Sequence, residues 1–189
     1  KPPAGLSLGA AFAPSGELWI AGLDAQSRLF VQASPDAGRN WGARRVLDNQ
    51  GDAVSADGEN RPKIAFGPNG WVVVSYTKPL AKPYTGDIRM LRSADGGKTF
   101  SVPFTVHEDR QVITHRFESI RFDRKGQLHV LWVDKRDAEA ERARSGGKRA
   151  AYDGAAIYGR VSGDGGATWG TDAKLADGSC ECCRIGIVE

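Results

Sequence analysis

Ser34-Pro-Asp-Ala-Gly-Arg-Asn-Trp41, Ser93-Ala-Asp-Gly-Gly-Lys-Thr-Phe100 and Ser162-Gly-Asp-Gly-Gly-Ala-Thr-Trp169 are three copies of one octapeptide, S-x-D-x-G-x-x-aromatic. Their spacing of 59 and 69 residues is that of a repeated supersecondary unit. The residue types describe a turn bonded to itself. The carboxylates of Asp36, Asp95 and Asp164 and the hydroxyls of Ser34, Ser93 and Ser162 can hold nearby backbone amides, while Gly38, Gly97 and Gly166 tolerate positive φ. Trp41, Phe100 and Trp169 then fold back as anchors. These residues are therefore expected to be structural rather than catalytic.

Working outward, each octapeptide is preceded by an apolar strand, a short turn and a second strand. The turns are Phe12-Ala-Pro-Ser-Gly16, Phe66-Gly-Pro-Asn-Gly70 and Phe122-Asp-Arg-Lys-Gly126. After them come Leu18-Trp-Ile20, Trp71-Val-Val-Val-Ser-Tyr76 and Leu128-His-Val-Leu-Trp-Val133, with the β-branched and aromatic content of sheet. Third strands over 29–33, 88–92 and 156–161 lead into the octapeptides, and fourth strands are expected near 44–47, 104–107 and 174–176. Each unit then reads as a four-stranded antiparallel meander, and such units set radially make a β-propeller. The expected blades are about 5–50, 58–110 and 114–178, with a fourth beginning near 180.

The octapeptides resemble the Asp-box (BNR) repeat of the sialidase family, and the likeness runs through nearly the whole chain. It implies an all-β, six-bladed propeller, of which about three blades and the start of a fourth are present. It also implies that another polypeptide, a symmetry-related copy or further sequence supplies the remainder. The box specifies fold more than function, since sialidases, other glycan-active proteins and non-enzymatic receptors carry it.

Composition excludes several classes. The formal net charge of +3 comes from 26 basic and 23 acidic residues that are interspersed, which leaves no nucleic-acid footprint. No apolar run reaches the roughly 20 residues of a membrane span, and Lys1-Pro2-Pro3 lacks the apolar core of a signal peptide. A mature secreted or periplasmic chain is expected. Residues 135–149 mix both charge signs and read as a solvated loop.

In a propeller the starts of the inner strands and the loops after the second strands surround one mouth. Ser7, Arg61, Phe117 and Cys183 occupy equivalent positions there, flanked by Glu59, Asn60, His115, Arg116 and Arg184. The loops add Asp24, Lys78, Asp134, Lys135, Arg136 and Asp137. Guanidinium pairs bidentately with planar acid groups, so Arg61, Arg116, Arg184 and Arg136, with His115, are the candidate ligand-binding residues. The alternative is that each arginine pairs with a local acid such as Glu59, Glu118 or Asp134. The family resemblance further implies arginines for a ligand carboxylate, an Asp acid and a Tyr nucleophile paired with a Glu. This sequence departs from that pattern: the family's [FY]-R-I-P motif is missing ahead of the first octapeptide, where the nearest string is Asn60-Arg-Pro-Lys63.

Asp134 and Asp137 are weak catalytic candidates, and the same Asp134-Lys-Arg-Asp137 string also reads as an internally neutralised ion cluster. Cys180, Cys182 and Cys183 are weak metal candidates, since three sulfurs at that spacing suit a soft ion such as Cu(I); a disulfide plus one further thiol is the competing reading. No cofactor is required otherwise. The expected function is binding of an acidic glycan or other anionic ligand at the mouth. The alternatives are a glycoside hydrolase completed by the rest of the propeller and a copper-binding protein.

Overall fold

The computed structural model describes residues 8–146, 154–181 and 184–188. Twelve strands among the described residues form three sheets. The first holds β1 (Gly9–Phe12), β2 (Leu18–Leu23), β3 (Leu29–Ser34) and β4 (Arg45–Val46). The second holds β5 (Lys63–Phe66), β6 (Val72–Pro79), β7 (Gly86–Ser93) and β8 (Phe104–Thr105). The third holds β9 (His115–Phe122), β10 (Leu128–Asp134), β11 (Ala155–Ser162) and β12 (Ala173–Ser179). Every sheet is an antiparallel meander with its strands in chain order.

Burial shows how the sheets are stacked. One apolar cluster joins Ala21, Leu29 and Val31 of the first sheet to Val72, Val74 and Tyr76 of the second. The other joins Val73, Ile88 and Met90 to Leu128, Val130 and Trp132 of the third. The middle sheet thus buries both faces, which is why β6 reads as a continuous apolar run instead of alternating. Two stacked sheets would give each only one buried face, so this arrangement is propeller-like. Each fully buried Val or Leu contributes about 1.5–3 kcal/mol of apolar burial.

The octapeptide turns form the bonds their residues allow. Ser34, Ser93 and Ser162 donate Oγ–H to the following Asp Oδ1 at 2.9, 2.7 and 2.8 Å, and accept the amides of Gly38, Gly97 and Gly166 at 2.7, 2.8 and 2.8 Å. The same Asp Oδ1 takes the amide of Asn40, Thr99 or Thr168, and Oδ2 takes that residue's side chain. These bonds favour the ionised form and hold Asp36 and Asp95 below the usual carboxylate range, and Asp164 at about 2. Gly38, Gly97 and Gly166 adopt φ of 93°, 81° and 87°.

The second and third turns are also gripped from the preceding sheet. Arg45 donates to the carbonyls of Gly97 and Lys98, and Arg92 donates to those of Gly165 and Asp164 at 3.1 and 3.4 Å. Ser93→Ala would leave the buried Gly97 amide unpaired. A loss of about 1–3 kcal/mol is expected, read as a lower denaturant midpoint at unchanged slope.

One expectation changes. Residues 136–144 are not a loop but a helix, α1 (Arg136–Arg144), closed by Arg142–Glu139 and Arg144–Glu141 ion pairs. Only Ala138 of this helix is buried, so no apolar periodicity marked it. Its signal was charge order, with Asp137 and Glu139 in the first turn and Arg142 and Arg144 in the last. Residues 184–188, where the start of a fourth unit is expected, lie against β9, and Arg121 Nη1 donates to Ile187 O at 3.2 Å. No helix among the described residues is long and apolar enough to cross a membrane.

Candidate functional site

The meander topology brings the starts of β1, β5 and β9 to one end of the molecule and the octapeptides to the other. At the first end the three inner strands and residues 184–185 enclose a polar cleft of ≈ 210 Å³. Glu59, Arg61, Lys63, Phe117, Glu118 and Arg184 are its chemically distinctive walls. Three cations against two carboxylates leave one net positive charge there.

Glu59 organises the cations. Its Oε2 accepts Arg61 Nη1 at 2.9 Å and its Oε1 pairs with Arg184 Nε at 2.8 Å. Lys63 Nζ donates to the carbonyls of Glu59 and Arg61 at 2.8 and 2.9 Å and lies 3.4 Å from Glu118 Oε1. Glu118 is fully buried and accepts the hydroxyls of Ser75 and Thr77 at 3.0 and 3.1 Å. The floor of the cleft is therefore a fixed network, whereas Arg184, with 79% of its side chain exposed, is an accessible donor at the rim.

Phe117 shapes the wall. It adopts φ of +57°, uncommon for a bulky residue, where β9 bulges against β10. Its amide donates to the buried Asn60 Oδ1 at 3.3 Å, which holds the bulge. On the far side of Phe117 a second cleft is lined by Asp57, Tyr84, Thr114, Arg116, Phe117 and Glu181.

The structure separates the predicted residues into three groups. Arg61 and Arg184 share the central cleft, and Arg116 lines the neighbouring one with Asp57 Oδ2 at 3.1 Å. Arg136 lies elsewhere, wedged between Asp134 and Asp172 at 2.7 Å each, with its guanidinium 4.1 Å over the Tyr158 ring. Asp134 is fully buried and saturated by Trp132 Nε1, the Arg136 amide and the Arg136 guanidinium. Asp137 accepts the Tyr158 hydroxyl and pairs with Lys174 at 3.2 Å. Burial and that carboxylate push the Tyr158 phenol up to about 12, so it is a protonated donor.

His115 is a correction: it is completely buried rather than presented at the mouth. Its ring stacks on His107 with centroids 3.9 Å apart and planes 12° apart. Its position follows the Phe117 bulge, for the strand turns its first residue inward before the register shifts. Asp87, His107 and His115 bring three donor atoms within 4.8 Å of one another. However, His107 Nε2 accepts the Ile88 amide at 3.2 Å and Nδ1 faces Asp109 O at 2.6 Å. Near-parallel rings also aim their lone pairs alongside each other, so an ion bound by both would lie far out of at least one ring plane. The group is a packed pair rather than a chelate. Of the cysteine string, Cys180 is exposed; Cys182 and Cys183, like Ser7, lie outside the described residues.

Sequence reasoning missed Lys63 and Tyr84, and named Glu118 only as a local acid that an arginine could pair with. The alternation of β9, where Glu118 interrupts an apolar face, was the available signal for the buried acid.

No protein-family model matches the chain, and no curated protein matches it in sequence. Among solved structures it is similar to a Hadza microbial sialidase, at TM-score 0.55 and 19% identity over 86% of this chain and 36% of that one. It is similar to the α-L-arabinanase of Penicillium chrysogenum complexed with arabinobiose, at TM-score 0.58 and 18% identity over 92% and 50%. A third is a polysaccharide lyase, an ulvan lyase bound to -[GlcA(1-4)Rha3S]-, at TM-score 0.51 and 11% identity over 92% and 40%. The chain thus spans half or less of the length of each. At these identities the likeness is one of fold, a propeller-like arrangement shared with glycan-active enzymes.

Proposed function

We propose that this chain forms part of an extracytoplasmic, sialidase-like propeller that binds an acidic glycan at its axis, with Arg184 and Arg61 as the carboxylate-binding pair. The observation that carries this reading is the central cleft itself: cations outnumber acids, and the most exposed guanidinium stands at its rim. Glu59 holds the two guanidiniums as a preformed pair, and a ligand carboxylate could engage Arg184 without dismantling the floor. The solved structures of similar fold support a saccharide as the ligand class, because two of them carry a bound saccharide. Among the described residues the first and third sheets each join one apolar cluster where the middle sheet joins two, which supports completion of the ring by another polypeptide, a second copy or further sequence.

The test is calorimetric titration with sialylated, uronic-acid and neutral oligosaccharides. Binding is expected for acidic ligands only, weakening as salt rises. Arg61→Ala combined with Arg184→Ala should lower affinity at least tenfold, about 1.4 kcal/mol or more, because Glu59 then faces the ligand unneutralised. Equal binding of neutral and acidic sugars would remove the reading.

A further inference from the structure

The second cleft carries an inference that rests on the glycan reading and deepens it. Tyr84 stands on the β6–β7 connection with 79% of its surface exposed, and it adopts φ of +62°. An aromatic residue in the left-handed region is uncommon, and a turn of this kind would suit glycine or asparagine better. The loop nevertheless fixes Tyr84 in place. Thr114 Oγ1 donates to Tyr84 O at 2.9 Å, Leu80 N donates to Thr85 O at 3.1 Å, and Thr85 N donates to Lys82 O at 3.2 Å.

Phe117, the other aromatic residue with positive φ among the described residues, lines the same cleft of ≈ 340 Å³, a size at the lower end of ligand pockets. Backbone held in sparsely populated regions clusters where ligands are clamped. The same cleft is lined by Asp57 and Arg116, paired at 3.1 Å, with the guanidinium 4.8 Å from the Phe117 ring centroid. An apolar face beside a fixed carboxylate–guanidinium pair matches a sugar ring, which has an apolar C–H face and a rim of hydroxyls that both donate and accept. Phe117 also lines the central cleft, so the two clefts adjoin through one side chain.

We propose that Tyr84 and Phe117 form an aromatic subsite for a second sugar unit, and that the ligand is an acidic oligosaccharide rather than an acidic monosaccharide. The acidic unit occupies the Arg61–Arg184 cleft, and its neighbour stacks on Tyr84 with its hydroxyls on Asp57 and Arg116.

The test titrates the full chain with galacturonic acid and its linear dimer and trimer, and with N-acetylneuraminic acid and 3′-sialyllactose. Affinity is expected to rise at least tenfold from monosaccharide to oligosaccharide in one of the two series. Tyr84→Ala should abolish that rise while leaving monosaccharide affinity unchanged, and Tyr84→Phe should retain it. Tyr84→Gly separates binding from folding: relief of the positive φ raises the melting temperature, yet the rise is lost. The inference is overturned if affinity does not depend on length, or if Tyr84→Ala binds every length as the parent does. Loss of binding in the Arg61 and Arg184 variants with no effect at Tyr84 leaves the glycan reading standing alone. The converse leaves the stacking subsite and removes the carboxylate role. Failure of all five sugars to bind removes both.

Discussion

Glu118→Ala should destabilise the protein by about 3–5 kcal/mol, the range for removing one partner of a buried charge pair. The carboxylate is fully buried on β9 and reaches across to β6, where it accepts both Ser75 and Thr77. It also faces Lys63 Nζ at 3.4 Å, and that side chain is itself only 15% exposed. Truncation therefore leaves the interior Ser75 hydroxyl without its acceptor, Thr77 with only the 3.4 Å contact to Asn60 Oδ1, and one partly buried ammonium without its counter-charge. Glu118→Gln keeps an oxygen for one hydroxyl and a polar group for the other, so it should lose about half as much. Urea titration at neutral pH reads both. A loss below about 1 kcal/mol for the alanine variant would mean the network is not holding the second and third sheets together.

Acid should begin to destabilise the protein near pH 6.5, above the pH at which its carboxylates protonate. Burial, followed by the neighbouring His115 charge, lowers His107 from the ordinary 6.5 to about 3. The folded state therefore binds fewer protons than the unfolded chain between those limits, and stability rises with pH across the window. It is unaffected by this group above about pH 6.5 and declines below it, by up to about 1.4 kcal/mol per pH unit. By pH 3 the total approaches about 4–5 kcal/mol, before the octapeptide carboxylates add their own losses. Asp87 opposes this in part, since burial raises it above the usual range. His107→Gln removes the titrating group, and its stability should change little from pH 6.5 to 4.5, whatever its value at neutrality. An unaltered slope in that variant would locate the acid sensitivity elsewhere.

The sheets were legible because their determinants are local. A Ser, an Asp and a Gly within five residues close their own hydrogen bonds, and the flanking strands follow from β-branched runs such as Val72-Val-Val74. The helix after β10 was not, since its stability comes from charge order rather than an apolar stripe. The site was legible in outline, because inner-strand starts must meet at one end of a meander array. Its details were not: a bulge at Phe117 shifts β9 by one register step, burying His115 while aiming Phe117 at the opening. A one-residue shift exchanges the faces of a strand, and nothing in the order of residues announces it.

The grip of Arg45 and Arg92 on the following turn lies wholly at the octapeptide end, away from the axis cleft. One joint between units thereby sits at the end opposite the cleft, and the Glu118 network forms a second one beneath the cleft itself. Grafting or lengthening the connection at 24–28, which takes part in neither joint, should alter this end without loosening how one unit seats on the next, which makes it the tractable point for engineered specificity.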